Sequence, residues 1–432
     1  MKSPGKVQAE RLSNGLSLIS MPRAGVPLAS LRLALPAGAA RARSGAAELS
    51  SQLLRRGCRG LPAKALDELL ERLGSEVGIA VDDDATRLSL TVPSARLGPA
   101  AELLARLWKE PTFPEGELKS LRRRTLAQIQ GGLDQAEEVA DRALFRTLFE
   151  GHPYSAPVDG WIRDVAKLRR TDALLFHRQW LRPAGACLVL AGDLPAGSAA
   201  RVARAFGGGP GGEAALPLSP PAALVGHRVV VVDKPDATQT QIRIGGPGFS
   251  VHSPDLVACH LGNAVLGGGF SSRLVGEVRV RRGLTYGISS RFHAFDAGGC
   301  FAVRSFTRTE EAATLIRVSL DEIARLREEG PRDDELEGAR AYLRGSFLVG
   351  NETAEQLSRT LADSFLRGLG LDWIDRFPRL LGELSRADVT QALGRHLLPG
   401  PYRIVAEGPA RQLVPALRPF GEVVKVALND LA

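Results

Sequence analysis

The segment LRLALPA at residues 31–37 has a counterpart, IRIGGPG, at residues 242–248. The offset between the two segments is 242 − 31 = 211. Each begins with apolar residues at alternate positions, which is the pattern of a strand with one buried face. The repetition predicts that one strand-containing unit occurs twice in the chain.

Three further pairs of segments match in the same order along the chain. They are 78–92 with 291–305 at an offset of 213, 105–118 with 324–336, and 181–193 with 397–409 at an offset of 216. Amphipathic helices are predicted between the strands, as at 63–77, where leucines recur at helical spacing. Strands and helices in runs predict an α+β fold in which a sheet covered by helices on one face is duplicated in tandem.

A stretch rich in Gly, Pro and small residues, FGGGPGGEAALPLSPPAAL, lies near the middle of the chain at 206–224. Such a composition is typical of a linker. A chain of 432 residues also exceeds one ordinary hydrophobic core. We therefore expect an N-terminal domain over 1–205 and a C-terminal domain over 225–432.

The composition is that of a globular protein, with 44% hydrophobic and 24% charged residues. The net charge is +8, but the 48 acidic residues are interleaved with the 56 basic ones. The basic runs at 121–128 and 278–284 lack the aromatic residues on which nucleic-acid bases stack. Nucleic-acid binding is therefore not expected.

No apolar run approaches the roughly 18 residues that a membrane-spanning helix needs, so we expect no membrane span. The amino-terminal segment MKSPGKVQAERLSNGLSLIS lacks the apolar stretch of a signal peptide, which favours a cytoplasmic protein; the periplasm is the alternative if an export signal has been removed. The four cysteines have no CxxC spacing and are predicted to be buried free thiols, namely Cys58, Cys187, Cys259 and Cys300.

The block LGGGFSSRLVGEVRVRRGLTYGISSRF at 266–292 resembles the second-half signature of the pitrilysin/insulinase metallopeptidases, which include mitochondrial processing peptidase. FEGHPYSAPVDG at 149–160 resembles a stretch in the first half of that family. The resemblance implies a LuxS-like and processing-peptidase-like fold built from two homologous domains. It also implies an inverted zinc motif, HxxEH, in the first half, completed by a glutamate on a later helix.

The segment GAAELSSQLLRRG at 45–57 falls where the resemblance puts the zinc motif, yet it contains no histidine. Glu48 then occupies the first histidine position, Ser51 the general base and Gln52 the second histidine, while Gln128 stands at the later glutamate. A catalytic zinc needs about three imidazole, thiolate or carboxylate ligands, and only Glu48 qualifies. We expect no metal site in this chain and no peptide hydrolysis by the chain alone.

The family's active site is completed by an Arg and a Tyr seven residues apart, and Arg279 and Tyr286 have that spacing here. A guanidinium and a phenol can both donate hydrogen bonds to a developing oxyanion. The competing interpretation is that Arg279 is one of several solvated arginines, beside Arg281 and Arg282, and that Tyr286 caps a core strand.

The glycines Gly267, Gly268 and Gly269 form no phosphate-binding motif. A turn that lets the backbone approach a peptide, with Phe270 beside it, is one interpretation, and a purely structural turn is the other. His152 and the acidic run Asp82, Asp83 and Asp84 are predicted to be structural, the latter as the end of a hairpin.

The leading hypothesis is a non-catalytic subunit of a heterodimeric zinc endopeptidase. Its partner is expected to be a homologous subunit that carries HxxEH and the zinc, with peptides as substrates, and Arg279 and Tyr286 complete the partner's site. The alternative is a catalytically inert structural or peptide-binding homodimer of the same family. Nucleic-acid binding is a third hypothesis, which only the net charge supports.

Overall fold

The computed structural model describes residues 6–209, 211–213 and 215–432. They form two compact units, neither of which is continuous in sequence. The first contains the described residues up to Gln128 together with Pro157–Leu216 and Leu348–Asp375. The second contains Ile129–Ala156, Pro217–Phe347 and Arg376–Ala432.

The first unit is built on a six-stranded sheet in the order β1-β2-β8-β3-β7-β6. Its central strand, β3, pairs antiparallel with β7 and β8, placing the buried Leu31 opposite Leu90 and Leu190. A separate two-stranded ribbon is formed by β4 and β5. The strands are β1 (Gln8–Arg11), β2 (Ser17–Pro22), β3 (Leu28–Leu35), β4 (Gly57–Cys58), β5 (Leu61–Pro62), β6 (Gly78–Val81), β7 (Thr86–Pro93) and β8 (Cys187–Gly192).

The second unit has a six-stranded sheet in the order β11-β12-β10-β13-β9-β14. Its central strand, β10, pairs antiparallel with β12 and β13, placing Ile242 opposite Ser305 and Ala406. The strands are β9 (Arg228–Asp233), β10 (Thr240–Pro247), β11 (Ile288–Ala294), β12 (Gly299–Thr307), β13 (Arg403–Gly408) and β14 (Glu422–Val426). The repeated segments therefore occupy equivalent central strands, β3 and β10, which confirms the predicted duplication and fold class.

The strand pairing gives two offsets between equivalent residues of the two sheets, which can be compared with the offsets in the sequence repeat. Leu190 and Ala406 lie opposite the equivalent residues Leu31 and Ile242, and their offset, 406 − 190 = 216, is the one that the sequence repeat predicts. Leu90 and Ser305 have an offset of 305 − 90 = 215 rather than 213. The difference of two positions keeps every side chain on its face of the sheet, because strand side chains alternate with a period of two.

Fifteen α-helices are found among the described residues. They are α1 (Ala46–Leu54), α2 (Ala63–Leu73), α3 (Leu97–Lys109), α4 (Glu115–Gly132), α5 (Ala136–Leu148), α6 (Ile162–Val165), α7 (Arg170–Trp180), α8 (Ser198–Phe206), α9 (Leu256–Asn263), α10 (Ala312–Glu329), α11 (Asp333–Val349), α12 (Ala354–Leu366), α13 (Trp373–Glu383), α14 (Arg386–His396) and α15 (Ala410–Leu417). In the part of the chain that the structure describes, no helix is long and apolar enough to cross a membrane.

Several local predictions can be checked against these elements. The helix predicted over 63–77 ends at Leu73, because Gly74 adopts a left-handed conformation with φ of 66°. The described residues of the predicted linker 206–224 form neither helix nor strand beyond Phe206. All four cysteines are buried thiols outside any disulfide, as predicted.

Each sheet is covered by a helix from the other half of the sequence. In the first unit α12 packs on β3 and β8, and in the second α5 packs on β10 and β13. The offset between the first residues of the two helices is 354 − 136 = 218, close to that of the repeated strands, so they are equivalent members of the repeat. The expected domains 1–205 and 225–432 are each continuous in sequence. The compact units are not, because each contains a helix from the other half of the chain.

A buried arginine on each central strand contacts the exchanged helix. Arg32 of β3 donates from Nε to Ser358 Oγ of α12 at 3.2 Å. Arg243 of β10 donates from Nε to Asp141 of α5 at 2.6 Å and from Nη2 to the Glu137 carbonyl at 3.0 Å. Each exchanged helix is therefore bound to its sheet by polar as well as apolar contacts.

Candidate functional site

Helix α1 carries three of the four positions that the resemblance assigns to a zinc site. Glu48 and Gln52 lie one turn apart on one face, and Gln52 Nε2 donates to Glu48 Oε1 at 3.0 Å. Burial raises the pKa of Glu48, while this hydrogen bond lowers it and the nearby Asp159 raises it. The pair is therefore a satisfied contact between an amide and a carboxylate within one helix.

The other two positions do not complete a metal site. Ser51 is fully buried, and its hydroxyl has no hydrogen-bond partner among the described residues. Gln128 is exposed on α4, and in the described part of the chain no hydrogen bond joins it to Glu48 or Gln52. One carboxylate, two amides and a hydroxyl are not a zinc ligand set. The residues present do not fit a catalytic zinc ion.

Two further polar features are structural. His152 is buried, its Nδ1 accepts from the Tyr154 amide at 3.1 Å, and its Nε2 lies 2.9 Å from the Ser219 carbonyl. At the end of the β6–β7 hairpin, Asp82 accepts from the amide of Ala85 at 2.7 Å and pairs with Arg87. These contacts confirm the structural interpretation of both sites. Nowhere in the described chain do three or more His, Cys, Asp or Glu residues form a group that could hold a metal ion.

The glycine-rich segment follows α9 in the second unit, at the end of a π-helical stretch, Ala264–Gly268. Asn263 exchanges hydrogen bonds with Ser290 of β11, donating to its carbonyl at 2.9 Å and accepting from its hydroxyl at 2.7 Å. A Cβ at Gly267 would lie 2.5 Å from Ser290 Oγ, so this buried glycine serves close packing. Gly268, Gly269 and Phe270 remain accessible.

Arg279 lies in a second π-helical stretch, Val275–Arg281, and is half-buried. Its guanidinium carbon stands over the ring of Phe270, 5.3 Å from the centroid. Phe270 itself is 84% exposed. Stretches of π-helix occur frequently at functional sites. The structure thus brings together two residues that the sequence singled out separately.

The arginines next to Arg279 are bound differently. The buried Glu277 pairs with Arg281 Nη1 at 2.6 Å and with Arg282 Nε at 2.9 Å. Among the described residues, no ion pair to a carboxylate is found for Arg279. Of the three arginines in this segment, Arg279 is the one for which no carboxylate partner is found among the described residues.

Tyr286 lies on a short loop, and hydrogen bonds join the residues on either side of it to β12. Thr307 Oγ1 donates to the Leu284 carbonyl at 2.6 Å, and Ser305 Oγ donates to the Gly287 carbonyl at 2.9 Å. Tyr286 is nevertheless 82% exposed. This phenol does not cap a core strand, because the loop is fixed to the sheet on both sides of it while its side chain faces solvent.

A cavity of about 590 Å³ opens beside the glycine-rich segment, within the second unit. Phe270 and Tyr342 form part of its wall. Arg273 makes a bidentate pair with Glu335, at 2.9 and 2.7 Å, and Arg325 pairs with Glu322 at 2.8 Å. Burial raises the pKa of Glu322. Ion pairs line much of the cavity, so it presents no concentrated charge of one sign to a small ion.

Sequence reasoning missed three residues that support this region. The spacing of Glu277 and Arg281, four residues apart, was an available signal for their ion pair, because such residues share a helix face. Ser305 and Thr307 gave no comparable signal. Their role depends on the packing of a strand against a loop that precedes it in the chain.

Comparison with protein families gives two matches that lie in tandem. Residues 24–160 match the model described as insulinase (peptidase family M16), and residues 167–343 match the peptidase M16 inactive domain. The two matches together include α1 and the segment that carries Arg279 and Tyr286.

Curated relatives carry two kinds of description. An uncharacterized zinc protease of Streptomyces coelicolor is 26% identical over 330 residues, covering 75% of this chain and 72% of the relative. A protein of Helicobacter pylori described as a non-peptidase homolog, YmxG, is 24% identical over 360 residues and 82% of each chain. The relatives thus include proteins named as peptidases and one named as a non-peptidase.

Solved structures agree with the fold. The crystal structure of a peptidase M16 inactive domain from Pseudomonas fluorescens is 28% identical, with a TM-score of 0.86 over 93% of this chain and 98% of the other. A protease from Helicobacter pylori has the same fold, with a TM-score of 0.87 at 19% identity over 94% of this chain and its own full length. The chain therefore belongs to the M16 peptidase family, as a member without the zinc motif.

Proposed function

We propose that this chain is the non-catalytic subunit of a two-chain zinc endopeptidase. In this proposal a homologous HxxEH-bearing subunit holds the zinc ion, and Arg279 and Tyr286 of this chain complete the partner's site. The observation that carries the proposal is the presentation of Tyr286, an exposed phenol on a loop that hydrogen bonds fix to the sheet on both sides.

Arg279 supports the same proposal, because no carboxylate in the described part of the chain pairs with it. Glu277 takes up the charges of Arg281 and Arg282 but not that of Arg279. An exposed phenol and a guanidinium without a carboxylate add little to the stability of the fold. Their presence in the segment that matches the inactive-domain model is better explained by an interaction with another molecule.

The chemistry assigned to this chain is electrostatic. The partner's zinc site supplies the activated water and the general base. As the scissile carbonyl becomes tetrahedral, negative charge develops on its oxygen, and donors already in place stabilise that charge. A guanidinium and a phenol both donate hydrogen bonds, so Arg279 and Tyr286 are suited to this role.

Peptide binding by this chain is assigned to the accessible part of the glycine-rich segment. Gly268 and Gly269 expose backbone groups to which an extended peptide can approach closely, and Phe270 offers an apolar surface next to them. Gly267 is left out of this surface, because it is buried against Ser290.

A second candidate function is an inert peptide-binding or structural homodimer. The substitution of every zinc-ligand position, with Glu48 as the one side chain among them that could still bind a metal, and the description of one relative as a non-peptidase homolog favour it. It predicts a metal-free assembly of this chain alone, in which Arg279 and Tyr286 have no role in turnover.

The first experiment is an affinity purification of the tagged full chain from its native lysate. The bound proteins are identified, and their zinc content and hydrolysis of a peptide library are measured. We expect a stoichiometric partner with HxxEH and an activity that neither chain has alone. A metal-free assembly of this chain with itself would instead support the homodimer.

The second experiment uses variants in the purified two-chain enzyme. Arg279→Gln or Tyr286→Phe is expected to lower kcat roughly 10²-fold if each side chain is one oxyanion donor, with a smaller change in KM. Arg281→Gln and Tyr342→Phe are the matched controls, since they remove an exposed guanidinium two residues from Arg279 and an exposed phenol on α11. Unchanged turnover in both test variants would refute the proposed role.

A further inference from the structure

The three arginines of the segment 279–282 are bound in two chemically different ways. Arg281 and Arg282 direct N–H groups at Glu277, at 2.6 and 2.9 Å. Arg279 stands over the ring of Phe270, with 5.3 Å between its Cζ and the ring centroid. The first type of contact uses hydrogen-bond donors, and the second does not.

This difference determines how many N–H donors each arginine has available for a further hydrogen bond. A guanidinium has five N–H donors in one plane, and a carboxylate partner occupies some of them. An aromatic ring attracts the cation through the negative charge on its face, without accepting a conventional N–H···O bond. An arginine fixed by a ring thus keeps both its charge and its donors available to a third group.

We propose that Phe270 is the positioning residue of Arg279: it restricts the guanidinium to one place and leaves its donors free for the developing oxyanion. This inference rests on the proposed function of Arg279. It gives Phe270 a task within this chain, in addition to the peptide contact suggested for the glycine-rich segment.

The segment that carries Phe270 is fixed at both ends, as a positioning role requires. On one side, Asn263 and Ser290 exchange two hydrogen bonds that hold the glycine turn on β11. On the other side, Arg273 is bound to Glu335 by two hydrogen bonds and donates to the Gly330 carbonyl at 3.1 Å.

The exposure of the ring also fits this role. At 84% exposed, Phe270 contributes little to the hydrophobic core, although burial of such a side chain normally stabilises a fold. The cavity beside it offers room along the wall that the ring shares with Tyr342, yet the ring lies under Arg279. Its placement is therefore explained by its contact with Arg279.

The contact itself is tested first, in this chain alone. 4-Fluorophenylalanine is incorporated at position 270 of the full chain, and its ¹⁹F resonance is recorded. Arg279→Gln is expected to shift the resonance, whereas Arg281→Gln, which alters the neighbouring ion pair, is expected to leave it unchanged. Equal responses to the two variants would show that Phe270 does not hold Arg279, and the inference would fail.

The role is then tested in the two-chain enzyme. Phe270→Leu is expected to lower kcat about threefold with little change in KM, the size expected for one exposed cation–π contact. Phe270→Trp retains the aromatic face and should restore kcat. Val280→Ala is the control, because it removes an exposed apolar side chain next to Arg279 and leaves the ring intact.

A fluorination series separates positioning from packing. Replacing Phe270 by mono-, di- and trifluorophenylalanine removes charge from the ring face in steps while nearly preserving its shape, so kcat should fall progressively. A flat response across the series would overturn the inference. If Arg279→Gln lowers kcat but the Phe270 variants do not, only the inference fails. If Arg279→Gln has no effect on kcat, the proposed function fails, and the inference that rests on it fails as well.

Discussion

Five strands have the same order in the two sheets, β2-β8-β3-β7-β6 and β9-β13-β10-β12-β11, but the segments that follow the central strands differ in the side chains that they expose. In the first unit α1 turns Ser51 into the core and joins Glu48 to Gln52. In the second unit two π-helical stretches follow β10 and α9, with the exposed Phe270 between them and the exposed Tyr286 after them. In the first unit this element is packed against the core, whereas in the second it exposes aromatic side chains to solvent.

The difference separates what the fold needs from what a function would need. A buried helix face is maintained by the cost of cavities and of unpaired polar groups, whatever the protein does. Nothing comparable maintains an exposed phenol on a loop fixed by Ser305 and Thr307. The comparison therefore assigns a structural role to α1 and supports the proposal that the segment of Arg279 and Tyr286 interacts with another molecule.

The largest expected effect comes from restoring a carboxylate at Ser51. This side chain is fully buried, and its hydroxyl has no partner in the described part of the chain. Ser51→Glu would leave a charge unpaired in the core, and we expect the free energy of unfolding to fall by about 3–5 kcal/mol. The midpoint of urea denaturation measures this loss.

Ser51→Ala is the matched control for that experiment. It removes an unpaired hydroxyl and creates almost no space, so its stability should equal or exceed that of the original chain. If Ser51→Glu were as stable as Ser51→Ala, α1 would be able to hold a charged base. A purely structural role for α1 would then be wrong, and the two units would no longer differ in this respect.

The second effect compares the buried arginines that bind the exchanged helices. Asp141 lies 2.6 Å from Arg243, whereas the half-exposed Glu355 lies 3.7 Å from Arg32. Asp141→Ala leaves a buried guanidinium without its carboxylate and is expected to cost about 2–3 kcal/mol. Glu355→Ala removes a long, solvated contact and should cost under about 1 kcal/mol.

Denaturant unfolding of both variants, monitored by circular dichroism, gives the comparison directly. Each variant is the other's control, since both remove one carboxylate from an exchanged helix. Equal losses would mean that the ion pair at Asp141 does not distinguish the second unit from the first.

The sequence predicted the sheets better than the helices that cover them, for a physical reason. Alternating apolar residues in 31–37 and 242–248 determine which strand face is buried, and the repeat determines the order. The apolar stripe of α5 or α12 determines that the helix packs on a sheet, but not on which sheet. The exchange could not be predicted, because Asp141 and Arg243 meet only in the folded chain, at a sequence separation of 102.

The candidate site likewise contains features that the sequence predicted and features that it could not predict. The positions of Arg279 and Tyr286 followed from a motif, and the structure supplies their surroundings. The ion pair between Glu277 and Arg281 could have been predicted, because residues four apart share one face of a helix. The contact between Phe270 and Arg279 could not have been predicted, because it depends on the path of the chain between two π-helical stretches.

The smallest expected effect is a pH dependence at a hairpin end of the first unit. The hairpin end of that unit carries Asp83, and burial together with the charges of Asp84 and Asp82 raises its pKa to about 7. At the corresponding turn of the second unit, the Ala297 amide donates to the Tyr154 hydroxyl at 3.1 Å. An acid with a raised pKa keeps its proton in the folded state after the unfolded chain has lost it. The stability contributed by Asp83 should therefore fall as pH rises from about 4 to about 7.

Asp83→Asn tests this difference, because the amide cannot ionise and the backbone of the turn is kept. Relative to the original chain, the variant should gain almost nothing at pH 4 and about 1–2 kcal/mol above pH 7, a value reduced for partial exposure of the carboxyl. Thermal unfolding at several pH values measures the gain, with the exposed Asp67→Asn as control. A gain that is equal at pH 4 and pH 8 would show that the carboxyl is not held protonated. The hairpin end of the first unit would then contribute no pH dependence through Asp83.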